Sequence, residues 1–325
     1  MTRPPLSLLD LTRVREDQGP AQALRNAAAI AAHVETLGFR RYWVAEHHNM
    51  EGVASAATPV VIGHVAGATK TIRVGAGGVM LPNHAPYVIA EQFGTLAQLY
   101  PGRIDLGLGR APGTDGATLI RALRRDPQGA DRFPQDVVEL MGWFAPENGH
   151  GITAVPAAGT DVEMVILGSS HFGAMLAAQL GLPYAFASHF APAALDEALH
   201  LYRSNFRPSD RLRDPHVMVA VNVLTAETEA EARHLFTTTQ QGFLGLIRNN
   251  RRFQHPPGPL DWTPREEAHV MGMLSCHACG TPDQVRAGLE GIVSMTRADE
   301  LILVTDCFDF EARKRSLSLT AEVWT

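Results

Sequence analysis

A chain of 325 residues that is 45% hydrophobic and 19% charged has ample material for a large core. Its formal net charge of −6, from 34 acidic and 28 basic side chains without like-charge blocks, excludes the electrostatic footprint of a nucleic-acid or anionic-membrane binder. Three cysteines are too few for a disulfide framework, no apolar stretch is long enough to cross a bilayer, and Asp10 breaks the only N-terminal apolar run, so a cytoplasmic protein is expected.

Short apolar runs rich in β-branched and aromatic residues alternate with helical patterns, the signature of parallel βα units. Leu6–Leu11 is the first predicted strand and Ala21–Leu37 its helix, with Gly38 as a left-handed stop. Arg41–Glu46 and Ile72–Gly77 follow as strands, with helices at Pro59–Thr69 and Tyr87–Tyr100. The fourth strand, Arg103–Gly109, leads through an irregular stretch to a helix at Pro134–Phe144. Glu163–Leu167, Tyr184–Ser188 and Val217–Leu224 are strands five to seven, followed by helices at Phe172–Leu180, Ala193–Phe206 and Glu227–Asn249. Glu300–Val304 is the eighth, before a terminal helix from about Phe310. Eight such units close naturally into a (β/α)8 TIM barrel, an α/β fold, and residues 1–325 are expected to form one such domain. Two segments break the rhythm. Ala145–Asp161 is expected to be a loop or small hairpin between units four and five. Gln254–Pro282, with Pro256, Pro257, Pro259 and Pro264, interrupts the last unit as a lid or a surface excursion.

Barrel enzymes carry their chemistry where the strands end. Here those ends contain Glu46-His47-His48, Gly75-Ala76-Gly77-Gly78, Gly107-Leu108-Gly109-Arg110, Gly168-Ser169-Ser170-His171 and Ser188-His189, while strand seven passes Asn222. His47 stands where a general acid or base is useful, with Glu46 and His48 pointing to the opposite side if the strand continues; a structural histidine is the other reading. Gly168-Ser169-Ser170 before a helix start has the make-up of an anion site, although a serine N-cap would account for one serine. Arg110 offers a fork matched to phosphate oxygens, or a surface ion pair. Together they would form a phosphate clamp. Gly75, Gly77 and Gly78 suit either a flat ligand ring against backbone or a barrel-corner bulge. No metal is expected: His47, His84, His171 and His189 follow strands and Asp306 follows the eighth, but strand one lacks the His-x-His pair of amidohydrolase-type barrels. Cys276-His277-Ala278-Cys279 lacks a second ligand pair and is taken as structural or incidental.

Four stretches resemble the bacterial-luciferase-like flavin-dependent oxidoreductases: Tyr42–Met50, Val74–Pro82, Gly102–Arg110, and Leu167–Ser170 with Gly181–Pro183. The resemblance runs from Leu6 to about Leu319, nearest to an uncharacterised single-chain subgroup. It implies a monooxygenase that receives reduced FMN from a separate flavin reductase and uses O2 to oxidise a small organic substrate, carbonyl compounds among the candidates, and that assembles as a homodimer. By position it implies His47 as the catalytic histidine beside the flavin, and Gly77 and Gly78 as a bulge with a non-proline cis peptide under the ring. It implies Arg110 as the phosphate-binding arginine, with Gly168, Ser169 and Ser170 completing that site. Gly109 stands where luciferase carries a reactive cysteine, and Gly173 where it carries a hydroxyl, which leaves Ser169 and Ser170 more of the task. A barrel using the deazaflavin F420 for hydride transfer, a flavin-binding protein without turnover and a metal-dependent hydrolase are the rival readings.

Overall fold

The computed structural model describes residues 3–147, 151–250 and 253–324, so residues 148–150 of the predicted loop between units four and five lie outside it. Its strands are β1 (Leu6–Asp10), β2 (Arg41–Val44), β3 (Arg73–Met80), β4 (Ile104–Gly109), β5 (Glu163–Gly168), β6 (Tyr184–Phe186), β7 (Val217–Thr225), β8 (His277–Gly280) and β9 (Glu300–Val304). The helices are α1 (Pro20–Thr36), α2 (Thr58–Ala68), α3 (Pro86–Leu99), α4 (Phe133–Phe144), α5 (His171–Leu180), α6 (Leu195–Asn205), α7 (Glu229–Ile247), α8 (Pro264–Met273), α9 (Pro282–Thr296) and α10 (Phe310–Trp324). Strands β1 to β6 pair in sequence, β6 pairs with β7, β7 with β9, and β9 with β1, all in parallel, which closes an eight-stranded barrel. No described helix is long and apolar enough to cross a membrane.

The eighth predicted strand is therefore β9, and the Gln254–Pro282 segment is more ordered than its prolines suggest. It contains α8 and the added strand β8, and α9 follows it. Both helices begin with a capping box, Thr263 with Glu266 and Thr281 with Gln284, each with proline in the first turn. Asn222 pairs with β9 on one edge and β8 on the other, so β8 extends the wall where the three-residue β6 has ended. This corrects the placing of Cys276–Cys279 in an irregular segment. Burial raises all three thiols, Cys279 to about 11 and Cys307 to about 12, so none is primed as a thiolate.

Side-chain alternation divides the core in two. Leu8, Tyr42, Val44, Met164, Ile166, Tyr184, Val219 and Leu303 face outward against the helices. Their neighbours Leu9, Trp43, Ala45, Val165, Ala185, Met218, Ala220, Ile302 and Val304 face inward and fill the barrel. Following the inward stripe toward the strand starts reaches Arg41, Asp105 and Glu300, all fully buried charges. Following it the other way, past the apolar middle, reaches the polar residues described next. The two-residue period thus sets a charged floor, an apolar middle and a polar top.

Candidate active site

A cavity of about 1300 Å³ opens over the C-terminal ends of the strands. Its floor is the apolar layer of Leu9, Trp43, Ala220, Ile302 and Val304, and the inward stripe continues into its wall as His47, His189, Asn222 and Asp306. The seven residues assigned to the site from the sequence (His47, Gly77, Gly78, Arg110, Gly168, Ser169 and Ser170) all line this one cavity, whereas Gly75 lies below it against Asp105. Phe253–His255 and Pro259–Asp261, from the segment expected to be a lid, wall it on another side.

His47 follows β2 and is held from the loop after β4. Its Nδ1 lies 3.4 Å from the Gly113 carbonyl oxygen, which also accepts from the His48 backbone N–H at 3.2 Å. Thr114 Oγ donates to the His48 carbonyl at 3.0 Å and Asn83 Nδ2 to the Pro112 carbonyl at 2.8 Å. These bonds fix the loop after β4 against the loops after β2 and β3. A proton on Nδ1 directed at Gly113 puts the basic lone pair of the imidazole on Nε2.

Glu46 and His48 turn away from the cavity, as strand alternation predicts. His48 Nε2 and His84 Nε2 lie 2.7 and 2.8 Å from Glu46 Oε1, and the Met80 backbone N–H donates to Oε2 at 3.0 Å. The three side chains have the spacing of a metal cluster, but each approach also satisfies the buried carboxylate as a hydrogen bond. Burial alone would push Glu46 up; the bonds from His48, His84 and Met80 hold its carboxyl at about 2. A carboxyl below its unfolded value stabilises the fold above about pH 4.5, a contribution on the order of 3 kcal/mol that is lost as pH falls toward 2. Urea titrations between pH 6 and 3 should therefore show a steeper stability loss for the wild type than for Glu46→Gln. Equal slopes would remove Glu46 from the acid response.

The glycines at the end of β3 form the bulge that was one of the two readings made of them. The ladder to β4 shifts register between Ala76 and Val79, and the Gly77–Gly78 peptide is cis. A Cβ on Gly78 would lie 2.6 Å from the Gly107 carbonyl oxygen, and one on Gly77 would lie 2.9 Å from the Leu9 and Trp43 side chains. Both positions need glycine, and both present bare backbone to the cavity.

Arg110, after β4, lies over the first turn of the helix that follows the Ser169-Ser170 turn on the neighbouring strand. The Arg110 guanidinium stacks 4.3 Å over the ring of Phe172, the second residue of α5. Among the described residues no carboxylate pairs with it. Ser170 is the N-cap of α5 by backbone conformation, yet its side chain makes no cap hydrogen bond. The backbone donors of the first turn of α5 are thus left for another acceptor. Gly173 faces the Tyr184 ring, where a Cβ would stand at 3.4 Å, an ordinary contact that a small side chain could make. At Gly109 a Cβ would crowd Met80 Sδ at 3.1 Å, so Met80 occupies the space a larger residue would need.

The sequence profile of the luciferase-like monooxygenase family matches residues 5–298. The chain belongs to the luciferase-like monooxygenase family. A luciferase-like monooxygenase of Escherichia coli (strain K12) is 50% identical over 322 residues, 98% of this chain and 96% of that one. Among solved structures, apo-MsnO8 is 32% identical with a TM-score of 0.88 and 98% of each chain covered. The oxygenating constituent of 3,6-diketocamphane monooxygenase, solved in complex with FMN, shares the barrel at a TM-score of 0.75 and 16% identity, over 99% of this chain and 98% of that one. In this family's barrel, the residues that sequence reasoning did not assign to the site are His189, Asn222 and Phe172. The signal for His189 and Asn222 was positional: Ala185, Ala187 and His189 continue one inward stripe past the end of β6, and Met218, Ala220 and Asn222 do so along β7, whereas Phe172 on α5 had no such signal.

Proposed function

We propose that this chain is a monooxygenase that binds reduced FMN in the cavity at the top of the barrel and uses O2 to oxidise a small organic molecule. The observation that carries this reading is the Arg110–Phe172 stack, which brings a guanidinium with no carboxylate partner among the described residues beside the uncapped first turn of α5. That pairing of a planar cation with free backbone donors suits a terminal phosphate. Bound FMN would supply the redox chemistry and oxygen activation, which no side chain here can provide. Arg110, Ser169 and Ser170 would hold its phosphate, and the bare backbone of Gly77 and Gly78 would leave room for a flat ring. His47, on the same cavity wall, would move protons through Nε2. The segments at 253–255 and 259–261 would keep water from the reacting atoms. Delivery of the reduced cofactor by a separate reductase and assembly as a homodimer belong to the same proposal.

Fluorescence titrations with FMN and with riboflavin test it, because the two differ only in the phosphate. Arg110→Ala should weaken FMN binding by roughly 10- to 100-fold, the worth of a charge-assisted hydrogen bond, and leave riboflavin binding unchanged. An equal loss for both ligands would move the phosphate elsewhere. Tighter binding of F420 than of FMN by the wild type would transfer the reading to deazaflavin hydride transfer.

A further inference from the structure

His189 sits on the cavity wall with only 8% of its surface exposed. Its backbone is pinned to β7: Asn222 Nδ2 donates to the His189 carbonyl at 2.5 Å, and Ser188 Oγ donates to the Ala220 carbonyl at 2.6 Å. The Phe190 ring stands edge-on to the imidazole at a centroid distance of 4.9 Å, fixing its plane. Ser188, His189 and Asn222 are all buried, so the position is held from below and behind. An ordered histidine at this place that served only packing would have its nitrogens satisfied. Nδ1 is instead sealed from solvent with no hydrogen-bond partner among the described residues. No described residue bonds Nε2 either, and the ring's remaining exposure opens on the cavity.

The tautomer follows. A buried unpaired N–H is rarer and costlier than a buried unpaired acceptor, so the proton belongs on Nε2, where a molecule in the cavity can accept it. Burial, and behind it the neighbouring His47, brings the imidazole down to about 4, so the ring is a neutral donor under working conditions. Below it lies the apolar layer of Leu9, Trp43, Ala220, Ile302 and Val304. A charged group placed on that layer beside a neutral imidazole would be left unpaired. A neutral molecule with an oxygen acceptor at one end and an apolar body would be matched at both.

We propose that His189 is a substrate-binding residue, whose Nε2–H donates to the carbonyl oxygen of a neutral organic substrate seated on the apolar layer. This rests on the cavity being the reaction site. It adds a second histidine with a different task from His47: one nitrogen that accepts protons and one N–H that orients.

The test uses an isosteric pair, cyclohexanone and methylenecyclohexane, which differ only in an oxygen in place of a methylene. Binding of each to the full-length protein is measured by ligand-observed NMR, with and without FMN, in the wild type, His189→Leu and His189→Asn. The wild type should prefer the ketone by about tenfold, the worth of one hydrogen bond to an otherwise unpaired donor. His189→Leu should lose the preference for the ketone and favour the hydrocarbon, whose methylene needs no partner, and His189→Asn, whose amide N–H can reach part of the way, should recover part of the preference. A wild type that binds neither probe, or binds both equally, overturns the assignment, and so does a preference that survives in His189→Leu. The wild-type comparison decides the matter even if a variant fails to fold. FMN affinity measured on the same samples keeps the two proposals apart: loss of ketone preference with intact FMN binding sinks only this one.

Discussion

Replacing His47 by alanine is expected to cut product formation by about 10²- to 10⁴-fold, the range for loss of a positioned acid or base, while leaving FMN affinity almost unchanged. The separation follows from the geometry. The phosphate-binding groups proposed above, Arg110 and the turn at Ser169-Ser170, follow β4 and β5, whereas His47 follows β2. Its link to the loop after β4 is the 3.4 Å approach of Nδ1 to the Gly113 carbonyl. That loop stays fixed in the variant, because the His48 N–H, Thr114 Oγ and Asn83 Nδ2 bonds do not involve the His47 side chain. A group that acts on protons in the transition state and not on ground-state binding lowers kcat and kcat/KM together. Single-turnover measurements with reduced FMN, O2 and a carbonyl compound that the wild type oxidises would read this directly. His47→Asn provides the second arm. It keeps a donor toward Gly113 but has no basic nitrogen, so it should be as slow as the alanine variant. Turnover at the wild-type rate in either variant would reduce His47 to a strut between two loops.

The barrel was legible because its strands and helices obey different periods over long stretches. Outward residues such as Leu8, Tyr42 and Val44 and inward ones such as Leu9, Trp43 and Ala45 are apolar alike, so each strand appears as an unbroken run bounded by glycine or polar residues. Element ends match to within a few residues, and Glu300–Val304 matches in full. The failure lies between residues 254 and 296. β8 is only four residues long, its sequence His-Ala-Cys-Gly has no apolar run, and it serves the wall beyond β6 rather than the barrel proper. The helices on either side were announced by Thr263-Pro264-Arg265-Glu266 and Thr281-Pro282-Asp283-Gln284, capping signals that carry more weight than the prolines around them. In the cavity, the strand-end residues came together as the spacing suggested. What spacing could not give was the partner of each group. That Ser170 leaves its helix uncapped, that Arg110 stacks on Phe172, and that His189 has a sealed nitrogen are facts of packing between elements far apart in sequence.

Arg41→Met is expected to cost roughly 3–5 kcal/mol of stability, the price of leaving buried carboxylates without their cation. Arg41 is fully buried at the start of β2 and spans the floor of the barrel. Its Nη1 bonds Asp105 Oδ2 at 2.9 Å and its Nε bonds Glu300 Oε1 at 2.9 Å. Its Nη2 stands 2.9 Å from Glu163 Oε1, an ion pair rather than a well-aimed hydrogen bond. Three strand starts, β4, β5 and β9, are thus tied to one guanidinium. Arg73, at 2.7 Å from Asp105 through Nε, offsets part of the charge at that carboxylate, and Ser7 Oγ donates to Glu300 at 2.5 Å. Even with Arg41 present, burial keeps the Asp105 carboxyl above its usual range against the pull of Arg41 and Arg73. Without Arg41, Asp105 should rise further, and Glu300, which Arg41 helps to hold below its usual range, should rise from that depressed value. A carboxyl whose folded value lies above its unfolded one adds stability at low pH and loses it as pH rises through the folded value. The deficit of Arg41→Met should therefore be largest at neutral pH and shrink toward pH 5, read as the urea midpoint of variant against wild type. FMN affinity of the folded variant should not change, because the floor and the cavity lie at opposite ends of the apolar layer. A deficit that is constant with pH would mean that the carboxylates remain ionised, with some other cation or water reaching the barrel floor.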